Sequence, residues 1–203
     1  RTNASSQILG VFSLFPMSLQ DAAYDGDLEA LRDRIERGDD VDGRGGVGWT
    51  PLMWACVRGH LECARALIDA GAAVDMVNNY GNTALVIGCI SGCHECAQAL
   101  IDAGAAVDEV NNNGETALMW ACYSGHHECA QALIGAGAAV DMVNNDGWTA
   151  LMWACKSGHH ECAQALIEAG AAVDMVDNNG RTALMTACTS GHLECARALI
   201  DAG

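Results

Sequence analysis

The chain is short of several things. Only two prolines and two phenylalanines occur in 203 residues, and Lys156 is the single lysine. Ten basic residues stand against 26 acidic ones, for a formal net charge of −16. A surface this acidic repels phosphate backbones and anionic lipid headgroups, so generic nucleic-acid or membrane-surface binding is disfavoured. No run approaches the roughly 20 apolar residues that span a bilayer. The longest candidate is "ILGVFSLF", residues 8–15. No carboxylate pair, glycine-rich phosphate loop or nucleophile–base arrangement stands apart from the rest. What is present is an apolar content of 51%, rich in alanine, with 23 glycines and 11 cysteines. That composition excludes a disordered chain and suits closely packed helices better than a β-sandwich.

One stretch raises a chemical question. "GCISGCHECAQAL", residues 88–100, holds Cys89, Cys93 and Cys96 at C-x3-C-x2-C. The spacing is similar to the cluster-ligating motif of radical enzymes that bind S-adenosylmethionine. An internal repeat removes most of its force. Shifted by 33 residues, the chain falls on itself: Gly48, Gly81, Gly114, Gly147 and Gly180 align, and so do Thr50, Thr83, Thr116, Thr149 and Thr182. Segments 114–137 and 147–170 differ at three of 24 positions. On that ruler Cys56, Cys89, Cys122, Cys155 and Cys188 share one position, and Cys63, Cys96, Cys129, Cys162 and Cys195 another. Only Cys93 is extra, standing where other repeats have His60, His126, His159 and His192. The apparent motif is two repeat cysteines plus one substitution. An iron–sulfur or thiol enzyme using Cys89, Cys93 and Cys96 is kept as a remote alternative.

Each unit reads as two short helices. In "TPLMWACVRG" the Thr50 hydroxyl caps a helix with Pro51 at its first position. Leu52, Ala55, Cys56 and Gly59 follow on one face. "HLECARALIDAG" gives a second helix, with Cys63, Ala66, Leu67 and Ala70 inward and Glu62, Arg65 and Asp69 outward. Gly71 ends it, and the Asn, Asp and Gly of "AAVDMVNNYGN" make a tight turn. One unit cannot bury enough surface to fold alone, whereas stacked units can.

The units "GWTPLMWACVRGHLECARALIDAGAAVD" and its copies resemble ankyrin repeats in their T-P/A-L start, A-x-x-x-G-H turn, late A-L-I and G-A-x-V-D tail. The resemblance covers residues 18–203 in one register. It implies an all-α solenoid of helix–turn–helix units with β-turn tips: a cap at 18–47, repeats at 48–80, 81–113, 114–146 and 147–179, and a partial unit at 180–203. It also implies a non-catalytic module that grips proteins through turn tips and first helices on a concave face. Two features depart from the family. Met53, Val86, Met119, Met152 and Met185 replace its usual histidine, so apolar packing is expected in place of a polar tie. The last unit is as apolar as an internal one, although a terminal repeat normally turns a polar face to water.

Within this frame the candidate partner-binding residues are those that vary between repeats. Beside the turn glycine these are Trp49, Tyr80, Asn82, Glu115, Asp146, Trp148 and Arg181. Near the end of the first helix they include Tyr123 and Lys156. Trp54, Trp120 and Trp153 recur two residues after the buried leucine and read either as packing between repeats or as an aromatic ladder for a partner. Trp49 and Trp148 are expected to be exposed at turn tips. No metal site, cofactor or catalytic residue is expected. The histidines read as turn caps, because equivalent ones lie a repeat apart and adjacent ones diverge.

The repeat cysteines are expected to be reduced and inward-facing, too far from their equivalents for disulfides. That points to a reducing intracellular compartment: the cytosol or nucleus, or an organelle such as the chloroplast stroma should Arg1 mark a processed start. Residues 1–17 form an N-terminal arm that reads as a docking or processed segment. An accessory subunit of a larger assembly, possibly membrane-associated or organellar, docked by that arm and the apolar final repeat, is the second functional reading.

Overall fold

The computed structural model describes residues 17–203. Among the described residues twelve α-helices run in pairs: α1 (Leu19–Asp25) and α2 (Leu28–Glu36); α3 (Pro51–Arg58) and α4 (Leu61–Asp69); α5 (Ala84–Ser91) and α6 (His94–Asp102); α7 (Ala117–Ser124) and α8 (His127–Gly135); α9 (Ala150–Ser157) and α10 (His160–Glu168); α11 (Ala183–Ser190) and α12 (Leu193–Ala202). The odd-numbered helices pack on one another in one row and the even-numbered helices in a second. Among the described residues there is no strand. No described helix is long and apolar enough to cross a membrane.

Local chemistry sets each boundary. The hydroxyls of Thr50, Thr83, Thr116, Thr149 and Thr182 accept the backbone N–H three residues on, at 3.2 to 3.3 Å. These are N-caps, each contributing about 1 kcal/mol. The first helices stop at glycines in the left-handed region, such as Gly59 at φ +74° and Gly158 at φ +79°, where a Cβ is disfavoured.

The core is a continuous column. Leu52, Leu85, Leu118 and Leu151 are buried, and so are Met53, Val86, Met119 and Met152, so apolar packing does replace the polar tie. On the second helices the inner face is Cys63, Ala64 and Leu67 and their repeats. The periodicity had indicated Ala66 and Ala70, but Ala66 is only half-buried and Ala70 is exposed. Burial of each such leucine contributes about 1.5–3 kcal/mol.

Three ladders of hydrogen bonds tie neighbouring units. At the tips, Asn112 N donates to the Tyr80 carbonyl, Asn145 N to Asn113 and Asn178 N to Asp146, at 3.0 to 3.1 Å. Behind them, Asp42, Asp75, Asp108 and Asp141 accept the backbone N–H of Ala73, Ala106, Ala139 and Ala172 at 2.9 to 3.0 Å. Thirdly, the imidazole Nε2 atoms of His60, His126 and His192 reach back to the carbonyls of Tyr24, Ile90 and Lys156 at 3.0 to 3.2 Å. The histidines at helix starts are therefore hooks between units. They make no side-chain cap to their own helix.

Candidate functional site

The stacking brings the turn tips and first helices onto one face, and charge divides the molecule along it. From residue 48 onward this face carries the acids Glu115, Asp146 and Asp177 and the bases Arg58, Lys156 and Arg181. The second helices and the loops after them hold Glu62, Glu95, Glu128, Glu161 and Glu194, Asp69, Asp102, Glu168 and Asp201, and the Asp75 series, against Arg65 and Arg197 alone. The strong negative charge lies behind; from residue 48 onward the front is balanced, and α1 adds Asp21 and Asp25 to it. One front acid is also paired: Asp177 meets Arg181 at 2.7 Å, and that hydrogen-bonded guanidinium lowers its pKa to about 2.

Aromatic side chains gather on the front in two clusters. In the first, Trp49 and Trp54 lie 4.3 Å apart, Tyr24 meets Trp54 edge-on at 5.3 Å, and Arg58 lies 4.7 Å over the Tyr24 ring. In the second, Tyr123 stands edge-on between Trp120 and Trp153 at 5.7 and 5.2 Å. Trp148 packs on Trp153 at 4.5 Å. The Lys156 ammonium lies 4.9 Å over the Trp148 ring, and Arg181 lies 5.4 Å over it. Such cation–π contacts contribute about 0.5–1 kcal/mol at exposed sites. The repeat between the clusters has Ile87 and Ile90 at the corresponding positions.

The second cluster opens a cavity of about 280 Å³ lined by Glu115, Met119, Trp120, Tyr123, Trp153 and Lys156. Its walls are apolar, with a carboxylate and an ammonium supplying opposite charges. Tyr123 and Lys156 are exposed; Trp120, Trp153 and Glu115 are half-buried. The buried Nε1–H of Trp120 has no acceptor among the described residues. The arrangement offers stacking surfaces, one unused donor and a charge of each sign.

The remaining candidates are dispersed. Tyr80 and Asp146 project at exposed tips, while the Asn82 side chain accepts from Asn111 at 3.0 Å within the tip ladder. Trp49 is half-buried, and Trp148 is 7% exposed. The expectation of an exposed Trp148 is thus corrected: Trp153 backs it while Lys156 and Arg181 cover it. Tyr24 and Arg58 went unnoticed in the sequence. The signal was there, since Tyr24 lies 99 residues before Tyr123 and so holds the same place in the repeat.

The cysteines form pairs across units. Cys96 faces Cys56, Cys89 faces Cys129, Cys122 faces Cys162 and Cys155 faces Cys195. Contact with Cys56 pushes the Cys96 pKa up to about 12, and burial does the same for Cys155. All eleven are free thiols, and Cys188 is exposed, against the expectation that every repeat cysteine points inward. Cys89 turns to Cys129 while Cys93 turns to Cys96, so the three sulfurs of the C-x3-C-x2-C stretch do not converge. Among the described residues no three His, Cys, Asp or Glu side chains are placed to hold a metal ion.

Comparisons with known proteins agree with this architecture. The family described as "Ankyrin repeats (3 copies)" matches residues 19–111, 89–142 and 131–203. The human ASB11 ankyrin repeat domain superposes with a TM-score of 0.83 at 31% identity, covering 91% of this chain and 83% of that one. An ankyrin repeat domain from Acinetobacter baumannii AYE superposes with a TM-score of 0.83 at 32% identity, covering 91% and 97%. A chain from the complex of the Bdellovibrio bacteriovorus predatory endopeptidase Bd0816 with its immunity protein Bd3460 gives 0.82 at 28%, covering 91% and 97%. No curated protein sequence matches. Ankyrin repeats are generally non-catalytic, protein-binding modules. With the 33-residue register, the paired helices and the family match in accord, this chain belongs to the ankyrin repeat family.

Proposed function

We propose that this protein is a non-catalytic binding module that holds a protein partner against its turn tips and first helices. The observation that carries the reading is the coincidence of three properties on one face: unit-to-unit variation, balanced charge, and two aromatic clusters with the cavity at Glu115, Trp120, Tyr123 and Trp153. Aromatic side chains at the centre of an interface supply much of its affinity. Glu115 and Lys156 select polar groups of either sign, rather than the basic partner that overall charge alone suggests. Trp148 acts from below, by fixing Trp153 and Lys156. The acidic second helices keep the module soluble and repel nucleic acid.

Affinity capture at native expression tests this. Tyr24→Ala and Tyr123→Ala, both at exposed rings, should each weaken the captured complex at least tenfold, while Arg65→Ala on α4 leaves it unchanged. Retention by both tyrosine variants, with loss on changing second-helix residues, would overturn the reading.

A second reading rests on the final unit. Met185, Leu193 and Ile200 are 55%, 58% and 64% exposed, and Cys188 is exposed beside them. Such an apolar end is covered by whatever packs on it, a further repeat or a partner, and in the second case the protein is an accessory subunit that docks by this unit. The N-terminal arm invoked with it lies outside the described residues, except for Met17.

A further inference from the structure

The repeat accounts for Cys89 and Cys96 but not for Cys93. Its position is unusual in three ways. It is the N-cap of α6, and Cys96 stands at the third residue of that helix, so the two side chains share the first turn. The sulfurs are in contact, and on its other side Cys96 faces Cys56 of the preceding repeat. Cys93 also occupies the place of the histidine hook. At Gly26, Gly92, Gly125 and Gly158 an added Cβ would lie 2.5 to 2.6 Å from an imidazole, whereas at Gly59 it would lie 3.7 Å from Cys93 Sγ. The Val57 carbonyl, the counterpart of those of Tyr24 and Ile90, receives no imidazole. The seam between repeats 48–80 and 81–113 therefore lacks one of its ties and holds three thiols instead.

We propose that Cys93 and Cys96 are an oxidisable dithiol whose disulfide clamps the first turn of α6 at this seam. Residues three apart on a helix have Cβ atoms about 5–6 Å apart, so closing the bond draws Cys93 about 1–2 Å towards Cys96, a movement open to an N-cap residue whose ψ of 82° lies outside the helix. Cys93 is half-buried while Cys96 and Cys56 are buried, so Cys93 is the sulfur that an external oxidant meets first. The oxidant is a low-molecular-weight disulfide. The Cys93 sulfur loses its proton and displaces one thiolate to form a mixed disulfide. The Cys96 sulfur loses its proton and displaces the second. Two protein thiols are oxidised, one external disulfide is reduced to two thiols, and one Sγ–Sγ bond is gained. Contact with Cys96 and burial raise the Cys93 pKa, and the Cys96 thiol sits near 12. Few thiolates form, so closure is slow.

The test is mass spectrometry of the purified native chain equilibrated with oxidised glutathione, then alkylated under denaturing conditions. The expected result is two protected sulfurs in the peptide containing residues 88–100, a mass about 2 Da below the reduced chain before alkylation, and an unchanged helical circular dichroism spectrum. Cys93→His, which restores the hook, should remove the protected pair while remaining folded. Eleven alkylated cysteines, a glutathione adduct on Cys93 that never closes, or a bond mapping to any other pair would each overturn the proposal. So would a bond that forms only with loss of the native spectrum.

Discussion

The repeat at 147–179 and the unit at 180–203 share most of their letters but not their surroundings. Met152 is 1% exposed and its counterpart Met185 is 55% exposed. Cys155 is buried and Cys188 exposed. Gly158 is crowded by the His192 ring, while nothing lies near Gly191. A side chain in this fold takes its energy from the unit that follows it more than from its own helix. Identical sequence is therefore worth different amounts in different places.

That contrast can be attacked experimentally, beginning where the effect should be greatest. Iodoacetamide labelling of the native chain should modify Cys188 faster than Cys155 by on the order of a hundredfold or more, since Cys155 reacts only on local opening. Equal rates would mean that α11 does not cover α9. Next, Met152→Ala should cost about 2–4 kcal/mol in urea denaturation, against less than about 0.5 kcal/mol for Met185→Ala. Gly158→Ala and Gly191→Ala form a finer pair. Both glycines have φ near +78°, so each alanine costs about 1–2 kcal/mol of backbone strain. Gly158→Ala must in addition displace His192 from the Lys156 carbonyl, a further loss of about 1 kcal/mol. The smallest effect concerns acid. Asp177 has its folded pKa depressed to about 2 by Arg181, so this pair stabilises the fold above the ordinary carboxylate range, and the contribution fades as pH falls from about 4 towards 2. Arg181→Ala should move the onset of acid unfolding to higher pH; an unmoved onset removes the pair from the balance.

Much of this was legible from the residues. Thr50 and its copies announce helix starts, the glycines announce stops, and the 33-residue period fixes the stacking, because these signals are local or periodic. The site was less legible. Trp148 reads as an exposed tip until Trp153, Lys156 and Arg181 are seen to close around it. Tyr24 belongs to an aromatic cluster whose other members lie in the next repeat. Histidine hooks reach 36 residues, and thiol pairs such as Cys56 and Cys96 lie 40 apart, because each joins a first or second helix to a neighbouring unit. Net charge is silent for the same reason: a total says nothing of which row of helices carries it.

The missing hook opposite Gly59 has a mechanical consequence. An array of modules joined only to their neighbours bears tension in series, so every joint feels the same pull and the weakest yields first. Stretched from its ends, this chain lacks at the α3–α5 joint a tie that the joints at Gly26, Gly92 and Gly158 keep. A closed Cys93–Cys96 bond would stiffen the turn beside that joint, coupling the spring constant of the array to the oxidation state around it.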